Sequence, residues 1–250
     1  MSKNRQIVLT IAGFDPSAGA GVLADIKTFE QHQVYGFAIN TGNTIQTENE
    51  FVEMQWTSLD FVLKSIRIFF GQYKIKAVKI GIVPSLEYVK EIVFTIKKLS
   101  STTKIIWDTV LKSSTAFDFL NIQNQEILIE ILKKIDLITP NYNEILQLSN
   151  DVDVPTAATL LSKHCVVFLK GGHNPHEIGI DYLYTKNSVE KLLPRTNTCH
   201  EKHGSGCVLS SAITANVALG YNFETACAKA KKYTENYLSS NSTKLGFHHV

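Results

Sequence analysis

Strand-like and helix-like runs alternate from one end of this chain to the other, and that order leaves few folds open. Ile7–Ala12 is a continuous apolar run closed by a glycine, as expected of a strand buried on both faces. Val22, Ile26 and Phe29 then fall on one face of a helix. Leu59, Val62, Leu63, Ile66, Phe69 and Phe70 make a cleaner helical stripe, with Ser58 placed as its N-cap. Ala77–Val83 reads as a strand, followed by a helix capped by Ser85 and carrying Leu86, Val89, Ile92, Val93 and Ile96. Lys104–Asp108 is a strand, Ile127 to Leu132 lie on a helix, Leu137–Thr139 is a strand stopped by Pro140, and Cys165–Leu169 is another strand. Tyr182–Tyr184 and Val189–Leu193, joined through Lys186–Asn187, read as a hairpin. Two helices, Gly206–Leu219 and Phe223–Leu238, close the chain around Gly220. This alternation predicts right-handed crossovers and an α/β fold, a mainly parallel central sheet with helices on both faces. No linker, internal repeat or low-complexity tract interrupts it, so residues 1–250 are read as one domain.

A chain of 250 residues can bury the core such a sheet needs. Its formal net charge of +2, with no run of lysine or arginine, gives no footprint for nucleic acid or an anionic membrane. The first apolar run is too short for a signal peptide and no segment approaches a membrane span, so a cytoplasmic protein is expected. Cys165, Cys199, Cys207 and Cys227 form no CxxC pair, which argues against a zinc site, a redox pair or a disulfide scaffold.

In open sheets of this class, ligands bind beyond the carboxyl ends of the strands. GFDPSAGAG follows the first predicted strand, Gly81 another, and then come Asp108-Thr109, Pro140-Asn141 with Glu144, and Lys170-Gly171-Gly172-His173. KHGSGC precedes the penultimate helix. Glycines, two acids, a lysine and a histidine thus converge on one edge of the sheet. GFDPSAGAG lacks the third glycine of a dinucleotide fingerprint, and no Gly-Lys-Ser/Thr marks a Walker loop. A plain strand-to-helix turn explains it equally well.

HGSGC has three explanations. Gly204, Ser205 and Gly206 at a helix start would let an anion approach unpaired N–H groups. The same field would favour a partly ionised thiol at Cys207, although a cysteine hydrolase would also need a base and an orienting partner. The third explanation is a small residue tucked at a helix start. Cys165 and Cys227 sit in apolar runs and are expected in the core.

The chain resembles the hydroxymethylpyrimidine/phosphomethylpyrimidine kinases of thiamine biosynthesis, within the ribokinase superfamily. The resemblance is carried by LTIAGFDPSAGAGVLADIKTF (Leu9–Phe29), VYG…Gln46, KIGIV (Lys79–Val83), TPNYNE (Thr139–Glu144), LKGGH (Leu169–His173) and HGSGCVLSSAI, in order and nearly end to end. It implies a ribokinase-like fold, ATP as phosphoryl donor with Mg2+, and a homodimer. The substrate implied is 4-amino-5-hydroxymethyl-2-methylpyrimidine and its monophosphate. By position, Gly13, Ala20, Asp25 and Gln46 would hold the pyrimidine, with Asp25 and Gln46 hydrogen-bonding it. Asp108 and Glu144 would arrange the metal and, with Asn141, the phosphates. Lys170 and Lys231 would neutralise phosphate charge. Gly204, Ser205 and Gly206 would form the anion hole, with Cys207 facing the substrate hydroxyl.

Four departures stand out. Phe14 replaces the family's serine, Asp108-Thr109-Val110-Leu111 replaces Asp-Pro-Val-Met, Lys112-Ser113-Ser114 replaces the Lys-Ser-Gly that follows, and four residues, Cys199 to Lys202, separate Asn197-Thr198 from His203. The alternatives are pyridoxal or pyridoxine as substrate, a non-catalytic pyrimidine-binding relative and, most distantly, a cysteine hydrolase.

Overall fold

The computed structural model describes residues 4–112, 119–150, 153–195 and 199–249. Nine strands form one continuous sheet: β1 (Ile7–Phe14), β2 (Tyr35–Gln46), β3 (Phe51–Trp56), β4 (Ile75–Ile80), β5 (Lys104–Trp107), β6 (Leu137–Ile138), β7 (Val166–Leu169), β8 (Asp181–Tyr184) and β9 (Val189–Leu192). Their spatial order is β3-β2-β1-β4-β5-β6-β7-β8-β9. The six strands from β2 to β7 run parallel, while β3 at one edge and the β8–β9 hairpin at the other are antiparallel. The expected mainly parallel sheet is therefore present, and its strand order reverses between β1 and β4.

Side chains alternate cleanly across the sheet, as a pleat requires. Leu9, Val78, Ile105 and Val167 face a core formed with α2 (Leu59–Gln72), α3 (Leu86–Leu99), α4 (Gln125–Leu132), α5 (Tyr142–Ser149) and α6 (Val154–Leu161). Val8, Ala77, Ile106 and Phe168 face a second core with α1 (Gly21–Gln31), α7 (Ser205–Ala218) and α8 (Phe223–Leu238). Because both faces are buried, β6 and β7 read as unbroken apolar runs, and β1 is interrupted only by Thr10 before its glycine. Helix α7 is buried on nearly all sides, and its many Ala and Ser residues let α1 and α8 approach it closely. Among the described residues, no helix is long and apolar enough to cross a membrane.

Two strands and two helices depart from the pattern expected of the sequence. β2, YGFAINTGNTIQ, carries two glycines and two asparagines, residues depleted in strands, and β3 is a half-exposed edge. β2 is held by its parallel pairing to β1, and β3 by its antiparallel pairing to β2, rather than by local preference. α5 and α6 are each only eight residues long and open on Asn141 and Asp153 caps, with a proline in the first turn of α6. Ser85 caps α3 as expected, accepting from Tyr88 N at 3.2 Å. Ser58 occupies the cap position of α2, but its hydroxyl makes no capping bond.

Candidate active site

The carboxyl ends of β1, β2, β4, β5, β6 and β7 open onto one cleft of about 930 Å³. It is lined by every site residue that the resemblance implies except Asp25, together with Asp15, Thr44, Ile82, Phe119, Asp181, Lys202, His203 and Glu235. The glycine-rich turn after β1 is shaped by Asp15, whose carboxylate accepts from Ser17 N at 2.9 Å, Ser17 Oγ at 2.8 Å and Ala20 N at 2.8 Å. Asp15 also meets His203 Nε2 at 3.0 Å, which ties this turn to the loop before α7. Burial alone would raise the Asp15 carboxyl; these hydrogen bonds, His203 first, hold it below the ordinary range.

Gly204 is the N-cap of α7, with φ +73°, and a Cβ there would overlap Gly19 O. Only glycine meets both demands. The first intrahelical bond is Val208 N to Gly204 O at 3.0 Å. Gly206 and Cys207 therefore keep N–H groups with no backbone acceptor among the described residues, at the positive end of the helix dipole. This is the geometry of an anion cradle.

Cys207 does not behave as a thiolate. Burial pushes its thiol up to about 11, against the opposing pull of the Lys79 charge. The expected field of the helix start is outweighed by desolvation, and among the described residues no hydrogen bond joins the Cys207 thiol to His203, whose Nε2 meets Asp15 and whose Nδ1 is buried without a partner. Alkylation by iodoacetamide should therefore be slow at Cys207 at pH 7, rise about tenfold per pH unit, and follow labelling of the exposed Cys199. Mass spectrometry of a time course checks this; equal labelling rates at pH 7 would show an activated thiol.

Asp25 lies outside the cleft. It is fully buried, and Thr10 Oγ1 at 2.6 Å, Ser211 Oγ at 2.6 Å and Lys79 Nζ at 2.5 Å occupy its oxygens. Thr10 and Lys79 are register neighbours on β1 and β4, Asp25 comes from α1 and Ser211 from α7. The quartet joins sheet and helices directly beneath the site. Asp25 is thus committed to Lys79 rather than presented to a ligand, because an unpaired ammonium with no solvent exposure would be costly there.

Lys170 stands at the end of β7 between two acids, 3.2 Å from Asp108 Oδ1 and 3.5 Å from Glu144 Oε2. Asp108 is fully buried, and it also accepts from Thr139 Oγ1 at 3.0 Å and Ser210 Oγ at 3.1 Å. Burial would raise its carboxyl; Lys170 and then Lys79 hold it below the ordinary range. Burial raises Glu144, Lys170 opposes, and Asp108 adds to the rise. With Asn141, Glu144 closes a capping box: Asn141 N donates to Glu144 Oε2 at 2.7 Å, and Glu144 N to Asn141 Oδ1 at 2.9 Å. Among the described residues, no three His, Cys, Asp or Glu side chains converge as a metal cage.

Lys231 donates to Asp181 Oδ2 and to Gly179 O, both at 2.7 Å, and lies 3.5 Å from Glu235. Its charge is matched within the protein. Asp15, Lys79, Asp181 and Lys202 carry no motif of their own in the sequence. Asp15 was visible in principle as the acid directly after the first strand. The other three required knowledge of which elements meet in space.

The family model described as phosphomethylpyrimidine kinase matches residues 15–250. A hydroxymethylpyrimidine/phosphomethylpyrimidine kinase of Aquifex aeolicus is 35% identical, over 96% of each chain. A phosphomethylpyrimidine kinase structure from Clostridium difficile superposes with a TM-score of 0.78 at 30% identity, covering 92% of this chain and 98% of that one. A Staphylococcus aureus pyridoxal kinase in complex with AMP-PCP gives a TM-score of 0.83 at 26% identity, covering 95% and 89%. The ribokinase-like architecture expected from the sequence is the one observed. By its sequence and its fold, the chain belongs to the phosphomethylpyrimidine kinase family and is a phosphotransferase.

Proposed function

We propose that this cleft transfers the terminal phosphoryl group of ATP to the hydroxymethyl group of 4-amino-5-hydroxymethyl-2-methylpyrimidine, and then phosphorylates the resulting monophosphate. The observation that carries the reading is the meeting of Lys170, the open N–H groups of α7 and Gln46 in one cleft. Phosphoryl transfer needs mainly positioning and charge stabilisation, which such a set supplies.

In this reading the flat ring lies between the glycine turn at Gly13 and Ala20 and an apolar wall of Ile82, Leu111 and Phe119, with Gln46 hydrogen-bonding its edge. The N–H groups of Gly206 and Cys207 take the transferred phosphoryl oxygens, beside Ser205 and the Gly204 turn. Lys170 bridges donor and acceptor phosphates, and Asn141 offers its amide N–H2, since the cap occupies its oxygen. Lys231 shapes the wall through Asp181 rather than acting as a free cation. The Cys207 thiol faces the substrate hydroxyl as a weakly polar neighbour, which a positioning mechanism tolerates.

Magnesium fits at Glu144, whose burial next to phosphate would be relieved by a cation. It fits less well at Asp108, whose oxygens are already held by Thr139, Ser210 and Lys170. Glu144 would hold the ion, which would supply charge neutralisation to the phosphates. A homodimer built on the β2–β3 edge is also proposed, because Ile45 and Val52 are 59% and 61% exposed there.

The test is ADP formation with ATP and magnesium, run in parallel on the hydroxymethylpyrimidine, its monophosphate and pyridoxal. Turnover is expected with both pyrimidines and at least tenfold higher kcat/KM for them than for pyridoxal. Pyridoxal-only turnover would favour the second reading, to which the likeness to the pyridoxal kinase points.

A further inference from the structure

We infer that Lys202 supplies an uncompensated positive charge to the phosphate end of the cleft, making it a charge-supplying residue for the phosphoanions that the proposed kinase reaction handles. The inference rests on the reading of the cleft as a phosphate site.

Among the described residues, four lysines withdraw their ammonium groups from solvent around or beneath the cleft, and three of them are matched by acids. Lys79 pairs with Asp25, Lys170 lies between Asp108 and Glu144, and Lys231 lies between Asp181 and Glu235. Lys170 and Lys231, the cations expected to neutralise phosphate, are therefore each outnumbered by carboxylates.

Lys202 is different. It is 4% exposed, and its Nζ donates to Asn241 O at 2.5 Å, Thr243 O at 2.6 Å and Asn241 Oδ1 at 3.3 Å. These acceptors are neutral dipoles. They fix the ammonium and satisfy its protons without cancelling its charge, and none of the described residues forms an ion pair with it. Its sequence neighbour Glu201 is exposed, where water screens the carboxylate. His203, on its other side, is engaged with Asp15.

Lys202 lines the cleft and stands two residues before Gly204, the N-cap of the helix whose N–H groups are open. A buried cation is screened far less than a surface one. A phosphoanion seated at the start of α7 would be the counter-ion that the protein itself does not provide. The same residue also clips the 241–243 segment to this loop, so its charge and its tethering role must be separated by experiment.

Two variants of the full chain do so. Lys202→Gln removes the charge, whereas Asn241→Asp keeps the Lys202 contacts to the 241–243 segment, gives up the Asn241 Nδ2 bond to Leu245 O, and places a carboxylate against the ammonium, which cancels the charge in place. Calorimetric titration would use inorganic tripolyphosphate, ATP and the neutral hydroxymethylpyrimidine, at low and high ionic strength. Both variants should bind tripolyphosphate and ATP about tenfold more weakly at low salt, with the gap narrowing at high salt. Binding of the neutral pyrimidine should stay within about twofold, and Lys202→Arg should retain most of the polyphosphate affinity.

A parallel loss for the neutral and charged ligands, or a salt-independent loss, would reduce Lys202 to a tether and overturn the inference. Unchanged polyphosphate binding in Asn241→Asp would do the same. Comparing KM for ATP with KM for the pyrimidine monophosphate then tells which phosphate feels the charge. Tripolyphosphate binding does not depend on the acceptor, so a wild-type protein that binds it normally but turns over no pyrimidine would refute the proposed substrate and leave the role of Lys202 standing.

Discussion

Replacing Lys170 with methionine is expected to lower kcat about a thousandfold, the scale seen when a preorganised donor to a developing anion is removed. The variant loses the cation proposed to bridge the phosphates, and it leaves Asp108 and Glu144 facing the same space without a counter-ion. The second effect gives the loss a pH signature. Glu144 is already raised by burial and by Asp108, with Lys170 the main opposing charge. Without Lys170 its folded-state pKa rises further above the unfolded value, so the folded state holds more protons than the unfolded one in that window. Stability therefore increases as pH falls. The melting-temperature deficit of the variant should be smaller at pH 5 than at pH 8, by thermal unfolding followed with circular dichroism. Equal deficits at both values, or a kcat within tenfold of wild type, would show that Lys170 is not the electrostatic keystone of the cleft.

Asp25→Ala is expected to act on folding rather than on substrate recognition. Removing one partner of a buried ion pair leaves the other charge uncompensated, at a cost of about 3–5 kcal/mol. For a chain of this size that lowers the melting temperature by about 10 °C. Lys79 has no solvent exposure through which to recover that loss. The double variant Asp25→Asn with Lys79→Met removes both charges and should recover most of the stability. In the folded population of either variant, KM for the pyrimidine should stay within about threefold of wild type, since Asp25 does not line the cleft. An unchanged melting temperature with a sharply raised pyrimidine KM would return Asp25 to the substrate-holding role its sequence position implies.

These two residues show where reading the sequence succeeds and where it fails. Lys170 follows an apolar strand and precedes two glycines, so its place at a strand end, and hence at the ligand edge, follows from connectivity. Asp25 sits one helical turn into α1, close in sequence to the same edge, yet its side chain turns into the interface with α7. Helix phase alone cannot tell these directions apart. What decides is that Lys79 on β4 and Ser211 on α7 arrive on the same side, contacts separated by 54 and 186 residues. Cys207 teaches the same lesson in electrostatics. Its position at a helix start argues for ionisation, but the depth to which α7 is buried raises the thiol instead.

By itself, then, the order of apolar runs, caps and glycines determined the parallel sheet, the two helical layers and the edge on which chemistry gathers, because these depend on local periodicity and chain connectivity. β2 escaped it because a polar, glycine-bearing strand is held by its neighbours rather than by its own residues. The tertiary structure alone decided which charges meet. It matched Lys79, Lys170 and Lys231 with acids and left Lys202 among carbonyl groups, since pairing energies at a few ångströms depend on packing between distant segments that no local pattern records.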